Sequence, residues 1–407
     1  MSDYITDGKG RNTMVKKLQP KLRFRGFTDA WEQRKLGRIC RITMGQSPKG
    51  QNYTNDFNQY ILVQGNADIV DRWVQPRVWT KEVTKTAEAG DLILSVRAPV
   101  GVVAKTAFPI VLGRGVAGIK GGEYIYQFLF MLEANNYWKS LSSGSTFDSI
   151  TKEQLIDLPV RQPASEQERN RIGKLLHILD SILAAEKRKL DLLQKKKRAL
   201  LRQIFEQKLR FAGYNNPWER CRLGDITEFA DYGIAASAIP YDGTVRYLRI
   251  TDIDDETRQV NIYELPSPDM KHRSRKEDYL RQGDLVFART GASVGKTYLN
   301  RSDRDDIVHA GFLIRFRLKD NICPEFIYQQ TLGENYRKFI AITSQRSGQP
   351  GINSSEYADW TLYLTSIEEQ NQIGGLFGQL DELIAALTQK IDLLMIKKKA
   401  LLQQMFV

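Results

Sequence analysis

Two long stretches of the chain place apolar residues three and four positions apart, the spacing that lines one face of a helix. Ile172, Leu176, Leu179, Leu183, Leu190, Leu193, Leu201 and Ile204 form one stripe; Ile373, Phe377, Leu380, Ile384, Leu387, Ile391, Leu394 and Met405 form the other. Ser165 stands three residues before Glu168, and Ser366 three before Glu369, the spacing of a capping box at a helix start. The pattern predicts helices over 165–205 and 365–407. A helix of about 40 residues is about 60 Å long, more than a compact domain covers, so the two stripes are expected to bury each other as a coiled coil. Ahead of each helix the pattern changes. Short strand-like runs at 60–63, 91–96, 101–104 and 245–250 lie between Gly, Pro, Asn and Asp clusters, with helical stretches at 124–141 and 324–341.

The chain repeats itself. Lys21-Leu22-Arg23-Phe24-Arg25-Gly26-Phe27, followed by Trp31-Glu32, returns as Lys208-Leu209-Arg210-Phe211-Ala212-Gly213-Tyr214, followed by Trp218-Glu219. In the same register Leu36-Gly37 and Ile39 match Leu223-Gly224 and Ile226. Gly90-Asp91-Leu92-Ile93 matches Gly283-Asp284-Leu285-Val286, and Glu166-Gln167 with Ile172-Gly173 matches Glu369-Gln370 with Ile373-Gly374. Residues 189–205 then read almost like 390–406. The fold expected is α+β: two similar mixed α/β domains, 21–164 and 215–364, joined by two long helices in a pseudo-twofold repeat. Residues 1–20 read as a flexible tail in which Met14 offers a second start, and 206–214 as a linker. Because only that linker follows the first helix, the second helix is expected to run back antiparallel to it, as a spacer between the domains.

Charge narrows the partner. The 407 residues include 60 Lys and Arg against 48 Asp and Glu, a formal charge of +12, which favours a polyanion such as double-stranded DNA. Three distant cysteines, Cys40, Cys221 and Cys323, support neither a disulfide framework nor a CxxC zinc pair and suit a reducing cytoplasm. No run approaches the 18 or so apolar residues of a membrane helix, and the first 19 residues lack the apolar core of a signal peptide.

Several constellations hint at catalysis and fall short of it. Gly291-Ala292-Ser293-Val294-Gly295-Lys296-Thr297 has three residues between its glycines where a phosphate-binding loop needs four. Asn216-Pro217-Trp218 lacks the second proline of an amino-methyltransferase turn. Asp252, Asp254, Asp255 and Glu256 are read as a solvated turn ahead of a magnesium site, since the first repeat has no equivalent. His177, His272 and His309 are scattered and assemble neither a triad nor a zinc site. The basic runs 187–189, 195–198 and 397–399 are read as a solvated helix face.

Base edges are read by Arg, Lys, Asn and Gln on positioned loops, with Ser, Thr and Tyr anchoring phosphates. Candidate loops recur at matching places. The first unit offers Gln46, Ser47 and Lys49; Gln64 and Asn66; Arg97; and Ser145 with Thr146. The second offers Ser237; Tyr247 and Arg249; Arg289, Thr290 and Ser293, with Lys296 near a phosphate; and Gln345, Arg346 and Gln349. Loops that differ on agreeing scaffolds suggest two domains reading two sequences.

Two units that open on Trp-Glu and Leu-Gly, contain a Gly-Asp-Leu strand and close on Glu-Gln and a long helix resemble the specificity subunit of type I restriction-modification systems. The most specific marks are the helix ends, Lys196-Lys197-Arg198-Ala199-Leu200-Leu201 and Lys397-Lys398-Lys399-Ala400-Leu401-Leu402, and the resemblance runs from about Lys21 to Phe406. The first helix follows Gln162-Pro163-Ala164, whereas the second follows Tyr363-Leu364-Thr365 without the proline. The resemblance implies two target-recognition domains that each read half of a bipartite site, with the helices setting the unread spacer. It implies two modification subunits that use S-adenosylmethionine to methylate adenine, and restriction subunits that use ATP and magnesium; the chain itself would hold no cofactor and no catalytic residue. A coiled-coil scaffold and a type IIG-like enzyme fragment are the alternatives.

Overall fold

The computed structural model describes residues 19–142, 149–269, 278–345 and 348–406, plus backbone at 4–6 and 12–14; side chains at 141–142 are outside the description. The expected tail falls mostly outside the described residues, apart from an antiparallel backbone pairing of Tyr4–Thr6 with Asn12–Met14. The chain divides into two compact units, residues 1–185 with 391–407, and residues 186–390. The division runs through both long helices, so each unit holds one mixed α/β domain and a portion of each helix.

The two units share one plan. In unit 1 the strands Arg41–Met44, Val116–Lys120, Leu92–Ser95 and Val103–Lys105 lie side by side, each antiparallel to the next. In unit 2 the order is Thr227–Tyr232, Leu313–Leu318, Leu285–Ala288 and Thr297–Leu299, again antiparallel throughout. A parallel pair stands beside each: Tyr60–Val63 with Ile110–Leu112, and Arg246–Leu248 with Ile307–His309. The repeated Gly-Asp has a local cause. Gly90 and Gly283 take left-handed φ values of +92° and +91°, which only glycine adopts freely. The following carboxylates, Asp91 and Asp284, accept from the amides of Glu88 and Arg281 at 2.9 and 2.8 Å, turning the chain into a strand whose residues are all buried.

The helical stretches expected at 124–141 and 324–341 are each broken in two: Glu123–Ala134 and Tyr137–Ser142, Pro324–Thr331 and Glu334–Thr343. In the first the break is a left-handed residue, Asn136 at φ +57°, which hydrophobic periodicity does not register. The long helices run Glu166–Phe205 and Ile367–Met405. The amides of Glu168 and Glu369 donate to the Ser165 and Ser366 hydroxyl oxygens at 3.4 Å, but only this half of the capping box forms. Both carboxylates, fully buried, are turned to the arginine of the repeated Lys-Leu-Arg-Phe motif: Arg23 clasps Glu168 at 2.7 and 2.8 Å, and Arg210 clasps Glu369 at 3.0 and 2.7 Å. These clasps make Glu168 the counterpart of Glu369, two residues on from the Glu166 aligned by sequence. Burial pushes the Glu369 carboxyl up, but Arg210 and Thr365 outweigh it and hold it below its usual range.

Each unit pairs the helix portions antiparallel. In unit 1 Asp180 meets Lys398, while Ile172 and Leu176 share a core with Leu402, Met405 and Phe406. In unit 2 Glu186 meets Lys390 and Lys197 meets Asp381. The same network closes both pairings. Gln127 donates to Glu123 and Asp180 at 2.9 and 2.7 Å, and Lys398 reaches Asp180 at 2.5 Å. Gln329 donates to Glu325 and Asp381 at 2.8 Å each, and Lys197 reaches Asp381 at 2.5 Å. Both glutamines and both lysines are buried. This corrects the reading of the basic runs 195–198 and 397–399 as solvated faces: the lysines at 197 and 398 turn inward because a carboxylate waits there. Burial pulls the Lys398 ammonium down, against Asp180, and Nζ also lies 3.8 Å from the centre of the Phe130 ring. Aromatic rings seal the helix ends, Phe406 on Tyr124 at 5.2 Å and Phe205 on Phe326 at 5.5 Å.

Removing one partner of a buried ion pair strands the other. Asp180→Ala is therefore expected to cost about 3 kcal/mol in urea unfolding, whereas Asp180→Leu with Lys398→Met recovers most of the loss. Additive costs in that double variant would show the pair to be uncoupled.

Candidate nucleic-acid interface

Four loops of unit 1 meet at the end of its sheets. Gly45 turns the chain out of the strand Arg41–Met44, its amide donating to Val116 O at 2.9 Å and that of Gln46 to Leu112 O at 2.8 Å. A Cβ at Gly45 would lie 2.0 Å from Gly113 O, and one at its counterpart Gly233 would lie 2.2 Å from His309 O, so the close backbone approach needs glycine in both units. The Gln64–Asn66 loop is fastened by Asp68, which accepts from the Gln64 and Gly65 amides at 2.7 and 3.3 Å and pairs with Arg77 at 2.8 Å. Arg97 follows the strand Leu92–Ser95 and bridges to Ser149. Ser47, Gln64, Asn66 and Arg97 then line one open cavity of about 300 Å³ together with Arg114.

Arg114 was not among the residues expected from sequence. It sits at the tip of the Gly113-Arg114-Gly115 turn, exposed, with its amide donating to Ser47 Oγ at 3.1 Å. An arginine between two glycines and two apolar runs is the signal that would have found it. Gln46 and Lys49 are exposed on the neighbouring loop, where Thr84 donates to Gln46 O at 2.5 Å and Glu82 accepts from the Lys49 amide at 3.0 Å. Ser145 and Thr146 lie outside the described residues.

Unit 2 builds the corresponding face from different side chains. Ile352 N donates to Arg289 O at 2.9 Å, as Ile150 N does to Val96 O in unit 1. Thr290 bridges to Gly351 and Gly291 N donates to Pro350 O at 2.9 Å, so Arg289, Thr290, Ser293 and Gln349 come together. The Arg289 guanidinium lies 4.8 Å over the Tyr232 ring. Ser237 and Gln345 are exposed on adjoining loops; Arg346 lies outside the described residues.

Three expected residues are placed elsewhere. Tyr247 is buried, its hydroxyl donating to Ile234 O and Ala236 O at 3.1 and 3.0 Å, where it shapes the 233–237 loop from beneath. Arg249 is clasped by Asp252 at 3.0 and 2.6 Å. Lys296 is buried, donating to Ile253 O at 2.9 Å and pairing with Asp255 at 2.5 Å. Asp254, for its part, accepts from Thr257. No group of three or more His, Cys, Asp or Glu side chains among the described residues is placed to hold a metal ion, and no described helix is long and apolar enough to cross a membrane.

Comparison with known proteins gives a consistent result. The family described as the type I restriction modification DNA specificity domain matches twice, over residues 28–195 and 215–394. The chain is 29% identical over 186 residues to a Methanocaldococcus jannaschii protein assigned as the MjaX type I restriction enzyme specificity subunit, an alignment that spans 44% of each chain. It is 24% identical over 310 residues to the MjaIX specificity subunit of the same organism, covering 66% of this chain and 68% of that one. The crystal structure of the S subunit of a type I restriction-modification system from M. genitalium superposes with a TM-score of 0.69 at 15% identity, covering 96% of this chain and 99% of that one, a likeness of fold.

Beneath the unit 2 loops, His309 is 1% exposed, and neither ring nitrogen finds a hydrogen-bond partner among the described residues. Burial pulls its pKa down to about 4, opposed by Asp231 and reinforced by Arg315. An unfolded histidine takes a proton near pH 6.5, so the folded state alone resists protonation between 6.5 and 4. Stability should be intact above pH 6.5 and fall by about 3 kcal/mol as pH drops to 4. Urea unfolding over that range checks this, and His309→Phe should flatten the slope; an unchanged slope would assign it to other groups.

Proposed function

Because the chain belongs to the type I restriction-modification DNA specificity family, we propose that it is the non-catalytic DNA-reading subunit of such a complex, each domain reading one half of a bipartite site. The observation that carries this reading is the recurrence of one loop arrangement on two matching scaffolds with different side chains presented. Unit 1 offers Gln64, Asn66, Arg97 and Arg114; unit 2 offers Arg289, Thr290 and Gln349. Arg and Gln pair with guanine and adenine edges in the major groove, so different sets imply different half-sites. The long helices set the unread spacer between them.

The chemistry then lies with the partners. Two modification subunits bring S-adenosylmethionine and methylate adenine, and restriction subunits bring ATP and magnesium. Two copies follow from the pseudo-symmetry, since each unit leaves apolar helix residues exposed: Ile178 and Ile396 in unit 1, Leu192 and Leu383 in unit 2. A methylase must turn its target base out of the duplex, so a subunit that grips and bends DNA serves the reaction without touching the transferred methyl group. The complex works in the cytoplasm, where the DNA is.

Mapping N6-methyladenine across the source genome with and without this gene should show the loss of one split motif; unchanged methylation together with no DNA retention by the purified chain would overturn the reading. Exchange of residues 21–164 for those of a relative should change one half-site and leave the other. Nicking of plasmid by the purified chain with magnesium would overturn the non-catalytic assignment. Binding should weaken steeply with salt, and Arg114→Ala should lower the salt slope by about 1 if Arg114 meets a phosphate.

A further inference from the structure

The Ala310-Gly311-Phe312 turn of unit 2 occupies the place that Gly113-Arg114-Gly115 holds in unit 1. The match is fixed by hydrogen bonds: Arg289 N donates to Phe312 O at 3.0 Å as Val96 N donates to Gly115 O at 2.8 Å, and Leu313 N and Val116 N close the two turns onto Ala310 O and Gly113 O. Phe312 therefore stands where unit 1 has Gly115. There a Cβ would lie 2.0 Å from Gln64 O, so unit 1 has no room for any side chain at that point.

In unit 2 the ring is present and 65% exposed, although both flanking residues of the turn, Ala310 and Leu313, are buried. A side chain of this kind normally gains from burial. Its backbone is tied to two of the interface loops, through Arg289 N and through Gly311 N, which donates to Ile234 O at 2.8 Å. The ring thus rides on a fixed turn, and with only two side-chain torsions it has little freedom to lose on contact. Its surroundings suit a nucleobase. Tyr232, 44% exposed, carries the Arg289 guanidinium on its face and is itself anchored by Ser354 N, which donates to its hydroxyl at 3.0 Å. The Gln349 amide nitrogen reaches to 3.0 Å from where a Cβ of Gly291 would stand.

We propose that Phe312 is an aromatic wedge that enters the base stack of the half-site read by the second domain, at a point where Gly115 of the first domain leaves no room for a side chain. The proposal rests on the DNA-reading function above. Apolar side chains inserted between base steps unstack them and kink the duplex, most readily at pyrimidine–purine steps. The second half-site is therefore read partly by its deformability.

The test uses the full-length chain and duplexes carrying the split motif found by methylation mapping, with 2-aminopurine replacing each base of the second half-site in turn. Wild-type protein should raise the fluorescence at one step. Phe312→Ala should abolish the rise and weaken binding roughly 5- to 100-fold with the salt slope unchanged, since no charge is lost, while Phe312→Trp should keep both. Tight wild-type binding with no rise at any position, or a Phe312→Ala variant that binds and unstacks like wild type, overturns the wedge and leaves the DNA-reading function standing. Failure of the wild-type chain to bind any duplex would count against that function itself. Should Phe312→Ala lower the melting temperature, the Trp variant decides: loss of the rise there, in a folded protein, overturns the proposal as well.

Discussion

Asp180 and Asp381 each hold three elements together: a domain helix through glutamine, their own long helix through the backbone, and the opposing long helix through lysine. A half-buried carboxylate is tolerable only with such partners, so domain, first helix and second helix are fixed in a single register. A shift of the helix pair by one residue would strand two lysines and two carboxylates at once. The apolar stripes drive association without choosing among registers; the ionic network chooses, a role best known from polar positions in coiled coils.

The same logic explains what could be read from the sequence. The helices, the repeat and the Gly-Asp strand entrances were legible because each rests on periodicity or on a backbone demand local to a few residues. The redirection of Glu168 and Glu369 to Arg23 and Arg210 was not, because a capping box is a local pattern while the competing arginine lies far away in sequence. Nor was the inward turn of Lys197 and Lys398: a lysine within a basic run carries no mark of the carboxylate that will meet it. Ser47, Gln64, Asn66 and Arg97, expected from loop position and residue type, come together around one cavity. Arg114 and Phe312 were not singled out, because each lies in a three-residue turn between strands that gives little sequence to read. Tyr247 and Lys296 looked like ligand-facing residues, yet their hydrogen-bonding ends are used within the domain.

Scaffold and presentation are separated in this architecture. A run of four antiparallel strands, a parallel pair and a broken helix recur in both units, and their backbone bonds place matching turns in the two. The side chains on the 113–115 and 310–312 turns are free to differ, because the bonds these two turns share run between backbone atoms. Rigid turns then present Arg114 on one unit and an exposed ring on the other.

The assignment of residues 391–407 to the first unit bears on synthesis. The core around Tyr124 and Phe128 is completed by Phe406, and Lys398 must reach Asp180 before that carboxylate is neutralised. At ribosomal speeds of about 5–20 residues per second, the interval between these segments is on the order of ten seconds or more. The domain made first therefore waits with an apolar face uncovered until the domain made second has already emerged. Of the two, it is the one most in need of a chaperone during translation.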